Sequence, residues 1–420
     1  MNFSSLGLAA PLLNAIAETG YTAPTAIQCA AIPPALSGAD VLGQAQTGSG
    51  KTAAFALPLL NALLAARPAG GARKLHALVL APTRELAAQV GEVLRGLASH
   101  LPTPVKVSVA FGGVSINPQM MALRGGTDIM VATPGRLLDL LEHNALKLDE
   151  TAVLVLDEAD KLLDMGFADE LARILALLPA RRQNLFFSAT FPPAVQALAD
   201  RLLRDPVRVA MPDSDEHAPD IAQRAIEVDE PRRTQLLRTL VKEEGWRQVL
   251  VFVATKYASE HVAEKLRRSG VAAEAFHGDF SQGARTSVLG DFRAGKLQVL
   301  VATDVAARGI DIVQLPVVVN YDLPRSPADY THRIGRTGRA GASGLAVSFI
   351  TSDAEQHFRL IEKRQHISVP RERVAGFEPT APAKALPPGA HDGTGGIKGK
   401  RKSKKDKLRE AAAAAAAGKD

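Results

Sequence analysis

Residues 153–160 read Val-Leu-Val-Leu-Asp-Glu-Ala-Asp, an apolar run that ends in three carboxylates within four residues. A continuous apolar run is typical of a strand buried on both faces of a parallel sheet. Such a strand delivers Asp157 and Glu158 to its carboxyl end, where open α/β sheets bind ligands. A hard cation such as Mg²⁺ needs one such oxygen, and activation of a water needs another. For this stretch alone, a strand ending in a solvated acidic turn is the simpler interpretation.

The composition is that of a globular protein with a basic end. The chain has 420 residues, which exceeds one typical core and predicts two domains. Hydrophobic residues make up 46% and charged residues 22%, ordinary values for a soluble fold. Residues 391–420 hold nine Lys or Arg and four acids, so this segment carries +5 of the net charge of +6.

Three features predict a cytoplasmic protein with no membrane partner. The single Cys29 cannot form an intrachain disulfide, and residues 1–20 contain no Lys or Arg of a signal peptide. The longest apolar stretch, residues 53–66, is interrupted by Asn61 and is too short to cross a bilayer.

Short apolar runs alternate with helical patterns along most of the chain, which indicates βαβ units and parallel sheets. The runs are 41–42, 77–80, 129–131, 152–156 and 185–187, then 249–253, 272–276, 299–301, 317–319 and 346–350. The proline-rich, acidic stretch 211–220 breaks this pattern and predicts a linker. We therefore predict domains at 1–208 and 221–372, a linker at 209–220 and a disordered basic tail at 373–420.

A glycine-rich loop, Ala45-Gln-Thr-Gly-Ser-Gly-Lys-Thr52, lies between a short strand and an apolar helix. Its glycines let backbone N–H groups face a phosphate, and the helix N-terminus adds positive potential. Lys51 would reach the β- and γ-phosphates, and Thr52 would hold Mg²⁺ together with Asp157. Ala45 departs from the strict pattern, which has glycine there. The strand–loop–helix context favours nucleotide binding over a chance glycine-rich turn, with Glu158 as the candidate base for an attacking water.

A hydrolytic site also needs positive charge on the γ-phosphate in the transition state. Residues 330–339 read Tyr-Thr-His-Arg-Ile-Gly-Arg-Thr-Gly-Arg, with Arg333, Arg336 and Arg339 spaced by three. The usual interpretation of clustered arginines is a nonspecific basic surface. The regular spacing, the interleaved glycines and His332 favour a built anion site.

These motifs, in this order, resemble the DEAD-box ATP-dependent RNA helicases of superfamily 2 over about residues 1–370. The matching segments are Phe3 with 20–28, 45–52, 82–86, 112–113, 133–136, 157–160, 188–190, 251–255, 277–285, 302–304, 308–311 and 332–339. The resemblance implies two tandem RecA-like α/β domains with parallel sheets and an N-terminal Q motif at about 1–29. Residues 277–285 and 164–167 are similar to the bacterial RhlE-type branch.

The resemblance also implies residue roles at an ATP and Mg²⁺ site. Gln28 would pair with the adenine edge, since its amide both donates and accepts. Arg336 and Arg339 would act as arginine fingers. The implied nucleotide contacts are Phe3, Tyr21, Gln28, Ala45, Gln46, Thr47, Gly48, Ser49, Gly50, Lys51, Thr52, Gly309 and Asp311. Ser188 and Thr190 would couple hydrolysis to strand separation.

The implied RNA face combines loops from both domains. Its residues are Pro82, Thr83, Arg84, Gly112, Gly113, Thr133, Pro134, Gly135, Arg136, Thr255, Gln282, Arg285, Thr303 and Asp304. Backbone N–H groups, hydroxyls and arginines suit phosphates and 2′-hydroxyls, so sequence-independent RNA binding is expected. Aromatic residues make up only 5% of the chain, which argues against an extended stacking platform.

The predicted function is an RNA-dependent ATPase that unwinds short RNA duplexes or remodels RNA–protein complexes. The alternative is an ATP-gated RNA clamp or annealing scaffold. RNA is the expected partner, with ribosomal or RNA-decay proteins as further partners in a process such as ribosome biogenesis. The basic stretch 398–409 is either an electrostatic tether for RNA or a solvated charge run, and attachment to an RNA-binding core favours the tether.

Overall fold

The computed structural model describes residues 2–45, 48–66, 73–210, 220–307, 315–338 and 343–380. The strands described form two sheets, each with seven strands and wholly parallel. The first sheet contains β1 (Val41–Gln44), β2 (Ala77–Leu80), β3 (Val107–Ala110), β4 (Ile129–Ala132), β5 (Val153–Leu156), β6 (Gln183–Ser188) and β7 (Val207–Ala210). The second contains β8 (Ile221–Glu227), β9 (Val249–Val253), β10 (Ala273–Phe276), β11 (Val299–Thr303), β12 (Val317–Asn320), β13 (Gly344–Ile350) and β14 (Arg371–Glu372).

Helices cover both faces of each sheet. In the first half they are α1 (Ala10–Glu18), α2 (Ala26–Leu36), α3 (Lys51–Ala66), α4 (Arg84–Ser99), α5 (Asn117–Ala122), α6 (Pro134–Glu142), α7 (Ala159–Asp164), α8 (Ala168–Leu177) and α9 (Pro193–Leu202). In the second half they are α10 (Arg233–Glu243), α11 (Lys256–Arg268), α12 (Gln282–Arg293), α13 (Asp304–Ala307), α14 (Pro327–Ile334) and α15 (Glu355–Gln365). Short 3₁₀ turns occupy Phe3–Leu6 and Glu230–Arg232.

The apolar run at residues 153–156 is the central strand β5, and its side chains alternate between two cores. Val153 and Val155 belong to the cluster on one face, whereas Leu154 and Leu156 belong to the cluster on the other. Because successive side chains of a strand point to opposite faces, a strand covered on both sides must be apolar at every position. The predicted α/β class with parallel sheets is confirmed.

Four strands were not predicted, and they share a position at or near a sheet edge. The strand orders are β3-β4-β2-β5-β6-β1-β7 and β10-β11-β9-β12-β13-β8-β14. The strands β3, β7, β8 and β14 lie at the ends of these orders or next to an end. Edge strands are covered on fewer sides, so they lack the continuous apolar run on which the prediction rested.

The structure corrects the predicted start of the tail. Residues 373–380, assigned to a disordered tail, pack on the second domain: Val374 and Phe377 contact its apolar core, and Thr380 donates two hydrogen bonds to Asp229. The strand β7 ends at Ala210, two residues into the predicted linker. Residues 211–219 and 381–420 lie outside the described residues. No helix in the described ranges is long and apolar enough to span a membrane.

The strand order brings the candidate site residues of the first domain to one edge. The strand β6 lies between β1 and β5, with Gln44 opposite Ser188 and Leu156 opposite Phe186. The loops that follow these three strands therefore meet at their carboxyl ends, where open α/β sheets bind ligands.

Candidate functional site

The glycine-rich loop after β1 leads directly into α3 and packs closely against α2. Gly48 and Gly50 have φ values of 86° and 94°, which side chains disfavour. A Cβ atom on Gly50 would lie 2.5 Å from Nε2 of Gln28. Lys51 is buried as the first residue of α3, and its Nζ has no hydrogen-bond partner among the described residues. Of the predicted loop residues, Ala45, Gly48, Ser49, Gly50 and Thr52 are described, whereas Gln46 and Thr47 lie outside the described residues.

The Gln28 amide joins the start of α2 to this loop. Its Oε1 accepts a hydrogen bond from the backbone N–H of Thr25 (2.9 Å), and its Nε2 donates to the carbonyl of Gly50 (3.1 Å). One N–H and one lone pair of the amide stay available for an adenine edge. Phe3 is buried in the core with its ring edge-on to Tyr21, at 6.3 Å between centroids. Tyr21 is half-buried, and this burial raises the pKa of its hydroxyl.

Two adjacent carboxylates, Asp157 and Glu158, follow β5, and both are buried. Glu158 has a left-handed backbone (φ 52°, ψ 54°) at the N-cap of α7. Its Oε2 lies 2.7 Å from Nζ of Lys161, one turn along that helix. Oδ1 of Asp157 has no hydrogen-bond partner in the described part of the chain.

The two carboxylates have pKa values shifted in opposite directions. Burial raises the pKa of Asp157 to about 6, and the charge of Lys51 only partly opposes this. Burial also disfavours the charged form of Glu158. The charges of Lys161 and Lys51, the hydrogen bond from Lys161 and the charge of Arg336 outweigh that burial and lower the Glu158 pKa to about 2. Glu158 is therefore an ionised hydrogen-bond acceptor at neutral pH, and Asp157 gains most from a cation.

The third carboxylate of the run, Asp160, binds the segment that follows β6. Its Oδ2 accepts hydrogen bonds from the backbone N–H (3.1 Å) and the hydroxyl (2.9 Å) of Thr190. The Ser188 hydroxyl accepts from the backbone N–H of Asp160 (3.2 Å) and donates to the Thr190 carbonyl (2.8 Å). These hydrogen bonds connect the acidic loop directly to residues 188–190.

Two residues of the second domain lie close enough to act electrostatically on the acidic loop. The charge of Arg336 contributes to lowering the pKa values of Glu158 and Lys161. Burial lowers the pKa of the His332 imidazole, the charge of Lys161 lowers it further, and that of Asp160 opposes the shift. The structure thus brings His332 and Arg336 to the first domain. Arg339, Gly309 and Asp311 lie outside the described residues.

Arg333, the first arginine of the predicted triplet, does not join this site. Its guanidinium forms two hydrogen bonds with the Asp304 carboxylate (2.6 and 2.7 Å). It also donates to Oδ1 of Asn320 (3.1 Å) and the carbonyl of Asp322 (2.6 Å). Arg333 therefore connects the carboxyl ends of β11 and β12 inside the second domain. The prediction that Arg333 belongs to the anion site is wrong, because its guanidinium is occupied by these partners.

The predicted RNA-contacting loops of the first domain follow three adjacent strands, β2, β4 and β3. The Arg84 guanidinium fills the space beside Gly113, where a Cβ atom would lie 1.9 Å from Nη2. Arg136 donates to the carbonyl of Val114 (2.7 Å), and its buried Nη1 has no hydrogen-bond partner among the described residues. Thr83 and Thr133 are the N-caps of α4 and α6. The remaining predicted residues on these loops are Pro82, Gly112, Pro134 and Gly135.

In the second domain the predicted RNA residues lie at the carboxyl ends of β9, β10 and β11. Thr255 is exposed and caps α11, whereas Thr303 is buried at the end of β11. Oε1 of Gln282 is buried without a hydrogen-bond partner in the described ranges. Arg285 is buried in an ion pair with Glu85 of the first domain, at 2.6 Å. Asp304 is held by Arg333, so two of the predicted contacts face protein groups.

Two residues that contact predicted site residues could not be named from the motifs alone, Lys161 and Glu85. Lys161 lies three residues after Glu158 on α7, a spacing that places their side chains side by side. Glu85 follows Arg84 in a motif that the sequence analysis had already quoted. The spacing could have revealed Lys161, but only the approach of the two domains reveals the partner of Glu85.

The chain thus has the architecture of a nucleotide hydrolase built from two RecA-like domains. Residues 25–198 match the DEAD/DEAH box helicase family, and residues 232–341 match the helicase conserved C-terminal domain. The chain is 42% identical over 361 residues to the DEAD-box ATP-dependent RNA helicase CshA of Bacillus cereus (strain ATCC 10987 / NRS 248), covering 86% of this chain and 67% of that protein. It is 43% identical over 376 residues to the ATP-dependent RNA helicase DeaD of Escherichia coli (strain K12), covering 90% and 59%.

Among solved structures, the chain is similar to S. cerevisiae Dbp5 bound to RNA and ADP BeF3. The TM-score is 0.77 at 33% identity, and the similarity covers 89% of this chain and 95% of the Dbp5 chain. The chain belongs to the DEAD-box ATP-dependent RNA helicases. The predicted family and the two tandem RecA-like domains are confirmed, whereas the RhlE-type branch stays a prediction.

Proposed function

We propose that the chain is an RNA-dependent ATPase that couples ATP binding and hydrolysis to local, sequence-independent unwinding of short RNA duplexes. The observation that carries the proposal is the ion pair at 2.6 Å between Arg285 of the second domain and Glu85 of the first, which brings the two domains together beside the acidic loop and Arg336. A nucleotide site assembled from two domains works only when they close. Closure driven by RNA would therefore control hydrolysis.

The first-domain residues fit a triphosphate with a divalent cation. Nζ of Lys51 and Oδ1 of Asp157 are a buried donor and a buried acceptor that lack hydrogen-bond partners among the described residues. No group of three or more His, Cys, Asp or Glu side chains in those residues could hold a metal. Thr52 and Asp157 would hold Mg²⁺ together with phosphate oxygens and water, because this ion keeps several waters and is usually bound by one or two carboxylates plus phosphates. When bound, Mg²⁺ would neutralise charge on the phosphates.

Glu158 would accept a hydrogen bond from the attacking water and orient it, because its low pKa keeps it ionised. Lys51, Arg336 and Arg339 would stabilise the charge that develops on the γ-phosphate. His332, held neutral by burial, would lie between the acidic loop and the arginines. The Gln28 amide would read the adenine edge with its second N–H and lone pair.

The RNA path would cross the carboxyl edges of both sheets. The loops after β2, β3 and β4 would hold phosphates through backbone N–H groups and Arg84. The loops after β9, β10 and β11 would hold the next nucleotides, with Arg285 acting through its ion pair with Glu85. Since a 2′-hydroxyl is absent from DNA, the same loops would make RNA the better activator. The hydrogen bonds of Asp160 to Thr190 would couple this face to the nucleotide site.

A strand-displacement assay on a short RNA duplex tests the proposal. With ATP, the protein should displace the labelled strand repeatedly. Glu158→Gln should bind ATP and the duplex, but each bound protein should displace a strand only once, without further turnover. RNA should raise the ATPase rate well above that seen with DNA. ATP-dependent retention of RNA without any displacement would contradict the proposal and favour a clamp or annealing scaffold.

A further inference from the structure

Large apolar side chains are exposed at two places on the proposed RNA edge of the second domain. Tyr257 is 77% exposed and Val305 is 67% exposed, the highest values among the large hydrophobic residues described. Tyr257 follows Thr255 by two residues, and Val305 follows Thr303 by two residues. The strands β9 and β11 are neighbours, with Val253 opposite Thr303. Both exposed side chains therefore lie at the same edge as the predicted RNA contacts.

The Tyr257 ring contacts a second aromatic ring. It stacks on the imidazole of His261, with 5.6 Å between centroids and 12° between planes. The two residues are four apart on α11, where side chains lie one above the other. The imidazole overlaps part of one face of the phenol ring, and the exposure of Tyr257 leaves the opposite face open.

The start of α11, which carries Tyr257, is connected to neighbouring segments. Thr255 caps α11 by accepting a hydrogen bond from the N–H of Ala258 (3.0 Å), and Lys256 pairs with Asp279 in the loop after β10. The loops after β9 and β10 are thus joined. An aromatic ring with few rotatable bonds and a ring neighbour loses less side-chain entropy on stacking than a long flexible side chain would.

We propose that a nucleobase of single-stranded RNA stacks on the open face of Tyr257. The inference rests on the proposed RNA binding and adds to it a base contact, which the phosphate-binding loops do not supply. Aromatic faces accept every base, so the contact stays sequence-independent. The low aromatic content argues against an extended stacking platform, and this contact agrees with that expectation. The chain would offer only a local stack of two rings, Tyr257 and His261.

A protein partner is the less suitable occupant of this ring. The core of a protein interface is a contiguous desolvated patch depleted in charged residues. Around Tyr257 the exposed side chains include Lys256, Glu260 and Asp279. An isolated aromatic ring among charged side chains does not form such a patch, whereas a single base needs only one open ring face to stack on.

The test measures the affinity of the full chain for single-stranded RNA in the presence of a non-hydrolysable ATP analogue. Tyr257→Ala should weaken binding about 5-fold or more, the lower end for loss of one stacked base. Tyr257→Phe should retain wild-type affinity, because the ring remains. Leu177→Ala, which removes another exposed large apolar side chain at the end of α8, is the control and should change nothing.

An abasic scan of the same RNA locates the contact. Removal of one base should weaken wild-type binding at a single position, and Tyr257→Ala should lose no further affinity with that abasic RNA. Equal affinities of wild type and Tyr257→Ala on intact RNA would overturn the stacking contact and leave the ring to a protein partner. Absence of RNA binding by the wild type would instead overturn the proposed function.

Discussion

Arg285 and Glu85 form an ion pair at 2.6 Å although they are 200 residues apart and belong to different domains. Both side chains are nearly buried, and the Arg285 guanidinium also packs on the Phe276 ring at 4.4 Å from its centroid. Because both charges are buried, each one offsets the cost of removing the other from water. Separation of the two domains breaks the pair and returns both charges to water. The pair therefore links closure of the cleft to groups that lie beside the predicted RNA contacts.

Glu85→Gln should weaken RNA binding in the presence of an ATP analogue by about 10-fold, because it removes a charge-assisted hydrogen bond worth about 1.5–3 kcal/mol. Binding of ATP without RNA should change little. Glu264→Gln, which breaks an exposed pair with Arg268 on α11, is the control. A double-mutant cycle with Arg285→Gln should give a coupling energy, and additive effects of the two changes would contradict the assigned pair.

Glu158→Gln should lower the rate of ATP hydrolysis by about 10²–10⁴-fold, the usual contribution of a residue that activates a reacting water. Affinities for ATP and RNA should persist, since Lys51 and the glycine-rich loop are unchanged. The comparison is Glu142→Gln, which removes a carboxylate from an exposed pair with Arg173. Turnover at the wild-type rate by Glu158→Gln would show that another group orients the water.

Gly50→Ala should lower both the melting temperature and the affinity for ATP. The new Cβ would meet Nε2 of Gln28 at 2.5 Å and Oγ1 of Thr25 at 2.8 Å, and the φ of 94° disfavours any side chain. We expect a cost of about 1–3 kcal/mol. Gly290→Ala, within α12 and with open space around it, should instead stabilise by up to about 1 kcal/mol. Thermal denaturation and nucleotide titration of both variants make the comparison.

Acidification should oppose closure through His332. Burial lowers its pKa from the ordinary value of 6.5, with Lys161 and Arg336 adding to the shift and Asp160 and Asp329 opposing it. A histidine with a lowered pKa contributes stability that is complete above about pH 6.5 and is lost as the pH falls below it. RNA affinity with an ATP analogue should therefore decrease below pH 6.5, and less so in His332→Gln. Parallel pH profiles for the two proteins would exclude His332 as the origin.

The central strands and the residue types of the nucleotide site could be predicted from the chain alone. A strand such as β5, covered on both faces, has to be apolar throughout. The glycines of the phosphate loop are visible in the sequence because the loop needs positive φ values at those positions. The peripheral strands β3, β7, β8 and β14 could not be predicted in this way. They lie at or next to a sheet edge and are held by pairing with their neighbours rather than by an apolar run of their own.

The sequence by itself determined the family and the α/β class, because these depend on short motifs and on strand periodicity. For the same reason it also predicted that Lys51, Asp157 and Glu158 lie together at the carboxyl ends of strands. Tertiary structure alone separated Arg336, which acts on the acidic loop, from Arg333, which binds Asp304 within its own domain. It also paired Arg285 with Glu85 and set the Tyr257 ring on His261 at an exposed edge. Equal spacing in the sequence does not show which side of a helix or cleft a charged side chain faces. That orientation decides which partner is within reach.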